Sequence, residues 1–231
     1  MFIFLFDSAI MTKEQPKVAK KNARVQVHIF IGSIPICKLH QQRKIGEIFM
    51  TFTTERLILR PWEEADAESL YEYAKDPKVG PIAGWPVHTS VENSLEIIKN
   101  VLSAPETYAV CLKSDNRAIG SIGLIPPMQS HTEAAQDEVE IGYWIGVPFW
   151  GNGYIPEAVR EMQRHAFEDL GYNAMWCGYY DGNEKSKRCQ EKCGFRYHHT
   201  EKDKPCALMG DVRTEHFTYL KKEQWISDEQ I

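Results

Sequence analysis

Glu140-Ile-Gly-Tyr-Trp-Ile-Gly-Val-Pro-Phe-Trp-Gly-Asn-Gly-Tyr-Ile-Pro-Glu-Ala158 decides the reading of this chain. Its apolar opening, with Glu138 just before it, reads as a strand over Glu138 to Val147. Pro148 to Gly153 is a glycine-bearing turn, and Pro156 suits the first turn of a helix. Val159, Met162, Ala166 and Leu170 then form an apolar stripe up to the stop at Gly171. Two glycines let a ligand approach the backbone, and free N–H groups at a helix start hold phosphate. A dinucleotide fingerprint needs a third glycine where Pro156 stands, and the Gly-Lys-Ser/Thr of a P-loop is absent. From spacing alone, a phosphate cradle and a plain strand-to-helix turn are equally good readings.

Outward from this stretch the pattern is α/β. Upstream, Glu55–Arg60 alternates as a strand, and Glu63–Lys75 carries Ala67, Leu70, Tyr71 and Ala74 at helical spacing. Ser90 can cap a second helix with the stripe Leu95, Ile98, Val101 and Leu102. Strands are expected at Tyr108–Leu112 and Ala118–Ile125, followed by a polar linker to Asp137. Downstream, Ala174–Tyr180 reads as a strand and Asn183 as the cap of a short helix ending at Cys193-Gly194. Phe195–His198 and Thr214–Leu220 supply the last strands. Residues 1–50 lack this regularity and read as a dispensable extension, with a short strand at Val25–Ile31, so the functional domain is expected over 51–231.

Composition is ordinary for a globular chain: 43% hydrophobic and 26% charged in 231 residues. The net charge of −5 is uneven, with eight Lys/Arg against three Asp/Glu in residues 1–49 and 19 against 29 beyond. The acidic body favours cationic partners such as amines and argues against nucleic acid. The six cysteines form no C-x-x-C pair and no zinc spacing, so no metal is expected and the thiols read as reduced, which points to the cytoplasm. No stretch has the length of a membrane span, and the apolar opening lacks the basic start of a signal peptide.

The stretch from Glu140 to Ala158, followed by Asn183-Glu-Lys-Ser186 and Glu191-Lys-Cys-Gly-Phe195, resembles the two central motifs of the GNAT superfamily of acetyl-CoA-dependent N-acetyltransferases. Thr54-Glu-Arg-Leu-Ile-Leu-Arg-Pro61 is similar to the start of its ribosomal-protein N-terminal acetyltransferase branch. The resemblance covers roughly residues 53–225. It implies a mixed, largely antiparallel central sheet with splayed middle strands and flanking helices. It further implies pantetheine on the backbone of Ile145, Gly146 and Val147, and pyrophosphate on Gly151, Asn152, Gly153, Tyr154 and Ile155. Asn183 would bond the pantetheine amide. A Gln or Arg often begins that loop in the family, and here the position is Pro148; a tyrosine common on the following helix is replaced by Gln190.

Acetyl transfer needs a neutral amine and a stabilised thiolate. Glu138 and Glu140 share one strand face. With the motif, Glu140 is the first candidate for general base, acting directly or through water; Glu138 is the alternative base and a candidate acceptor contact. Ser186 matches a serine that the branch offers near the sulfur and is the candidate proton donor, with an ordinary helix residue as the alternative. Trp85 and His88 are candidate acceptor contacts on a loop, and the stretches Pro126–Asp137 and His198–Val212 candidate walls. The expected reaction moves acetyl from acetyl-CoA directly to a primary amine, on a protein N-terminus or a small molecule, in a monomer or homodimer. The alternative is an acyl-CoA-binding module of the same fold without turnover.

Overall fold

The computed structural model describes residues 50–228. The expected extension, except Met50, and the Val25–Ile31 strand lie outside the described residues. One sheet of eight strands carries the fold: β1 (Phe52–Thr53), β2 (Leu57–Arg60), β3 (Thr107–Leu112), β4 (Ala118–Ile125), β5 (Glu138–Ile145), β6 (Ala174–Tyr180), β7 (Arg196–Cys206) and β8 (Asp211–Lys221). Their order is β1-β2-β3-β4-β5-β6-β8-β7, and every neighbouring pair is antiparallel except β5 with β6. The helices are α1 (Ala67–Ala74), α2 (Val91–Ile97), α3 (Tyr154–Arg164), α4 (Glu184–Lys192) and α5 (Lys222–Asp228). This is the mixed, largely antiparallel sheet that the motifs imply.

Local chemistry explains the elements that frame the site. Ser90 caps α2 by accepting from the Asn93 amide at 3.1 Å. Asn183 caps α4 in the same way, accepting from the Ser186 amide at 3.2 Å. At the other end of the sheet, Arg60 and Asp66 form a buried two-bond pair at 2.7 and 2.8 Å that fixes the chain entering α1. Val159, Met162 and Ala166, three members of the expected stripe, are fully buried, while Leu170 stays partly exposed at the helix end. A wide turn over His165–Asp169 continues α3, and Gly171, with φ 75°, stops it where the sequence places the stop.

The parallel pair is short, and that positions the site. β5 and β6 meet only at Glu138–Ala174, Val139–Met175 and Glu140–Trp176. Beyond Glu140, β5 stays with β4 through Ile145, while β6 runs on with β8 to Tyr180. The two central strands therefore diverge into a wedge.

The stretch from His198 to Val212, a candidate wall, reaches the cleft at Asp211. It forms most of a long hairpin, with β7 reaching Cys206 and β8 starting at Asp211. Its residues alternate little in polarity because β7 is an edge strand, exposed along most of its length.

Candidate active site

The wedge opens into a cleft of about 1170 Å³, larger than the roughly 300–1,000 Å³ usual for a single small ligand. One end is the turn into α3. Gly151 and Gly153 have φ of 79° and 78°, a left-handed conformation that strains any side-chain-bearing residue. The turn is braced from outside. Arg56 donates to the Asn152 carbonyl at 2.9 Å and to Glu157 at 2.7 Å, and Glu157 also accepts from the Arg56 amide and the Thr54 hydroxyl. Burial raises the Glu157 pKa, but these hydrogen bonds and the Arg56 charge outweigh it and keep the carboxyl ionised.

Lys185, Arg188 and Lys192 line the same end from one face of α4. Lys185 also lies 4.1 Å over the Trp150 ring. The other end is formed by Pro81, Ile82, Ala83, Tyr180, Asp211 and Arg213.

Between the two ends lies β5. Gly146 donates its N–H to Ile119 at 2.9 Å. This sets the ladder phase: even-numbered β5 residues bond β4, and the backbones of Ile141, Tyr143 and Ile145 face the wedge. Ile145 lines the cleft as expected, although its carbonyl already accepts from the Trp150 indole at 3.0 Å. Gly146 and Val147 do not line it. Their carbonyls accept from the amides of Phe149 and Trp150 in the turn. Gly151, Gly153, Tyr154, Ile155, Asn183 and Ser186 all line the cleft, whereas Asn152 sits outside it with its carbonyl on Arg56.

The expected base lies elsewhere than expected. Glu140 is fully buried and does not line the cleft. Its Oε2 accepts from Ser130 at 2.8 Å and pairs with His131 Nδ1 at 3.0 Å, while its Oε1 has no hydrogen-bond partner. The other ring nitrogen of His131 lies 3.1 Å from Glu215, also fully buried, and Lys204 stands 3.2 Å from the second Glu215 oxygen. Burial lowers the His131 pKa, but the two carboxylates outweigh it and raise it to about 9, so the ring is an imidazolium donating in both directions. Burial likewise raises the Glu140 pKa, and the His131 charge reverses the direction, leaving it lowered.

Glu138 is saturated by Trp176, Tyr219 and the Ala135 amide. Trp85 and His88 also lie outside the cleft lining. Trp85 packs on Trp144, which does line it, with ring centres 5.7 Å apart. His88 bonds Ser94 at 2.8 Å, and burial lowers its pKa to about 4, so its ring is neutral.

Sequence reasoning missed Arg56, Glu157, His131 and the three cations of α4. Only the cations carried a readable signal, their spacing on one helical face. No group of His, Cys, Asp and Glu among the described residues could hold a metal ion, and no described helix is long and apolar enough to cross a membrane.

Residues 56–196 match the acetyltransferase (GNAT) domain. An uncharacterised N-acetyltransferase of Bacillus subtilis (strain 168), YoaA, is 27% identical over 154 residues, which is 64% of this chain and 84% of that protein. The crystal structure of a GNAT-family acetyltransferase from Bacillus anthracis superposes with a TM-score of 0.65 at 22% identity, over 75% of this chain and 99% of that one. The ribosomal-protein-S5-alanine acetyltransferase from Vibrio fischeri gives 0.59 at 18% identity, over 76% and 98%. The family match covers more than half of the chain, in the segment that builds the wedge, its two-glycine turn and the capped helix beside them: the chain belongs to the GNAT acetyltransferase family.

Proposed function

We propose that this enzyme moves acetyl from acetyl-CoA to a primary amine, on a protein N-terminus or a small molecule, by direct attack within the wedge. The observation that carries the reading is the continuity of the cleft. A helix N-terminus and three cations stand at one end, the edge of β5 that has left β6 in the middle, and Pro81, Ile82, Ala83, Tyr180, Asp211 and Arg213 at the other. Diphosphate fits the first, a pantetheine arm the second and an acceptor the third. Tyr143 and Ile145 offer the backbone groups for the arm, and Asn183 its side-chain amide nitrogen, since its oxygen caps α4.

In this reading the amine attacks the thioester carbon, the C–N bond forms, and the C–S bond breaks to release CoA thiolate. Glu140, buried outside the cleft lining, receives the surplus amine proton only along a chain of water, with its unpartnered Oε1 as the acceptor. Its lowered pKa suits it to the strongly acidic ammonium of the tetrahedral adduct rather than to a free ammonium ion. The five described cysteines are free and buried, which supports a reducing, cytoplasmic setting.

Calorimetric titration with CoA tests the cofactor half. The wild-type chain should bind, and Lys185→Glu with Arg188→Glu should weaken binding by about tenfold or more, the scale of a lost charged hydrogen bond. Equal affinity in both proteins would remove the phosphates from this end of the cleft.

A further inference from the structure

The hydrogen-bond inventory around α4 has a direction. Gln190, fully buried, places its amide nitrogen 3.2 Å from the Gly178 carbonyl. A carbonyl only accepts, so the nitrogen and not the oxygen must face it. The same nitrogen donates its second hydrogen to the Ser186 hydroxyl at 3.1 Å, and the Gln190 oxygen accepts from Thr218 at 2.7 Å. Ser186 is thereby an acceptor on that side, and its own hydrogen is left for the Tyr143 hydroxyl at 3.3 Å. The phenolic oxygen of Tyr143 then accepts, and its own hydrogen is left with long or weak partners inside the protein. Its other neighbours are weak alternatives: the Ser186 carbonyl at a long 3.4 Å, and the thiols of Cys177 and Cys189. Tyr143 sits on the part of β5 that has left β6 but stays paired with β4, and lines the cleft together with Ser186 and Cys189.

We propose that the Tyr143 hydroxyl, oriented by the chain from Gln190 through Ser186, donates a hydrogen bond to the CoA sulfur as it leaves. This rests on the acetyl-transfer reading above and moves the donor role from Ser186, which becomes a positioning residue, to Tyr143. The electron pair of the breaking C–S bond ends on sulfur as thiolate. The phenol keeps its proton, and the thiolate takes one from solvent after release. Burial, which pushes the Tyr143 phenol well above the usual tyrosine value, agrees with a group that donates a hydrogen bond without giving up the proton.

The test needs no acceptor. Thiolate absorbance near 240 nm, recorded for the full chain with CoA minus the full chain with desulfo-CoA, gives the pKa of the bound CoA thiol. In the wild-type protein it should fall below that of free CoA. Tyr143→Phe should return it toward the free value, and Ser186→Ala should move it part of the way. With a productive amine, Tyr143→Phe should lower kcat by roughly tenfold to a hundredfold with little change in KM for acetyl-CoA, the scale of losing one hydrogen bond to a charged group. A bound thiol that titrates as free CoA in the wild-type protein would overturn the proposal, even if Tyr143→Phe fails to fold. So would a lowered value that survives in a folded Tyr143→Phe. If CoA itself does not bind, the acetyl-transfer reading fails and takes this proposal with it, an outcome calorimetry separates from the other two.

Discussion

Replacing His131 with glutamine should destabilise the protein and flatten its response to alkaline pH. The imidazolium lies 3.0 Å from Glu140 and 3.1 Å from Glu215, and both carboxylates are fully buried. Glutamine removes the charge that lets the two sit together. Breaking a buried ion pair by deleting one partner costs about 3–5 kcal/mol. Lys204, 3.2 Å from Glu215, compensates in part, so the lower end applies. For a domain of this size, about 3 kcal/mol corresponds to a loss of roughly 6–12 °C in Tm. The pH dependence follows from the raised pKa of the ring. Its stabilising contribution is complete below the unfolded value of 6.5 and is lost as pH rises through about 9. That displacement is worth about 3 kcal/mol, in line with the first figure. Glu140 works in the opposite direction: its pKa is lowered, so its contribution holds above the unfolded carboxylate value and fades as pH falls through the folded one. Thermal unfolding of wild type and His131→Gln at steps from pH 6 to pH 10 reads the effect. The gap should be widest near pH 6.5 and nearly closed by pH 10. A gap that stays constant with pH would show that the ring is neutral and only fills space, and no gap at any pH would refute the argument altogether.

Further outcomes follow from the same geometry. Acetyl-CoA should raise the Tm of the wild-type chain by mass action, and Gly153→Val should abolish the shift because φ of 78° disfavours a branched residue there; a preserved shift would move the phosphate site elsewhere. Arg56→Ala frees the Asn152 carbonyl and Glu157, and should raise KM for acetyl-CoA by about two- to fivefold with kcat nearly unchanged, as expected of a pair whose arginine is partly exposed. A chain beginning at Met50 should keep its Tm and its CoA affinity, since the regular pattern starts after that residue; aggregation or a loss of several degrees would assign residues 1–49 to the fold.

The central unit was legible because its signals are local. The run through β5, its turn and α3 shows a change of hydrophobic period with two glycines at the change, and Asn183 stands where a cap must stand. The β7–β8 hairpin was less legible, because an edge strand such as Arg196–Cys206 buries little and so needs no alternation. The site divides in the same way. Gly151, Gly153, Tyr154, Ile155, Asn183 and Ser186 take their places from helix ends, which sequence marks well. Glu138 and Glu140 share a face, as a spacing of two requires, but phase does not give depth. What covers Glu140 is Ser130 and His131, from a linker with no period to read. Trp85 and His88 fail as cleft residues for a related reason: a loop position tells nothing about which neighbour the ring finds, and Trp85 finds Trp144.

The most direct test of acetyl transfer is free-thiol release from acetyl-CoA by the full chain against a panel of peptide N-termini, polyamines and aminoglycosides, with the products weighed by mass spectrometry. Amine-dependent release is expected, with one acetyl group gained per thiol freed and no acetylated enzyme before amine is added. Saturating binding of acetyl-CoA with no thiol released for any amine, or an acetyl group found on the protein as an intermediate, would contradict direct acetyl transfer.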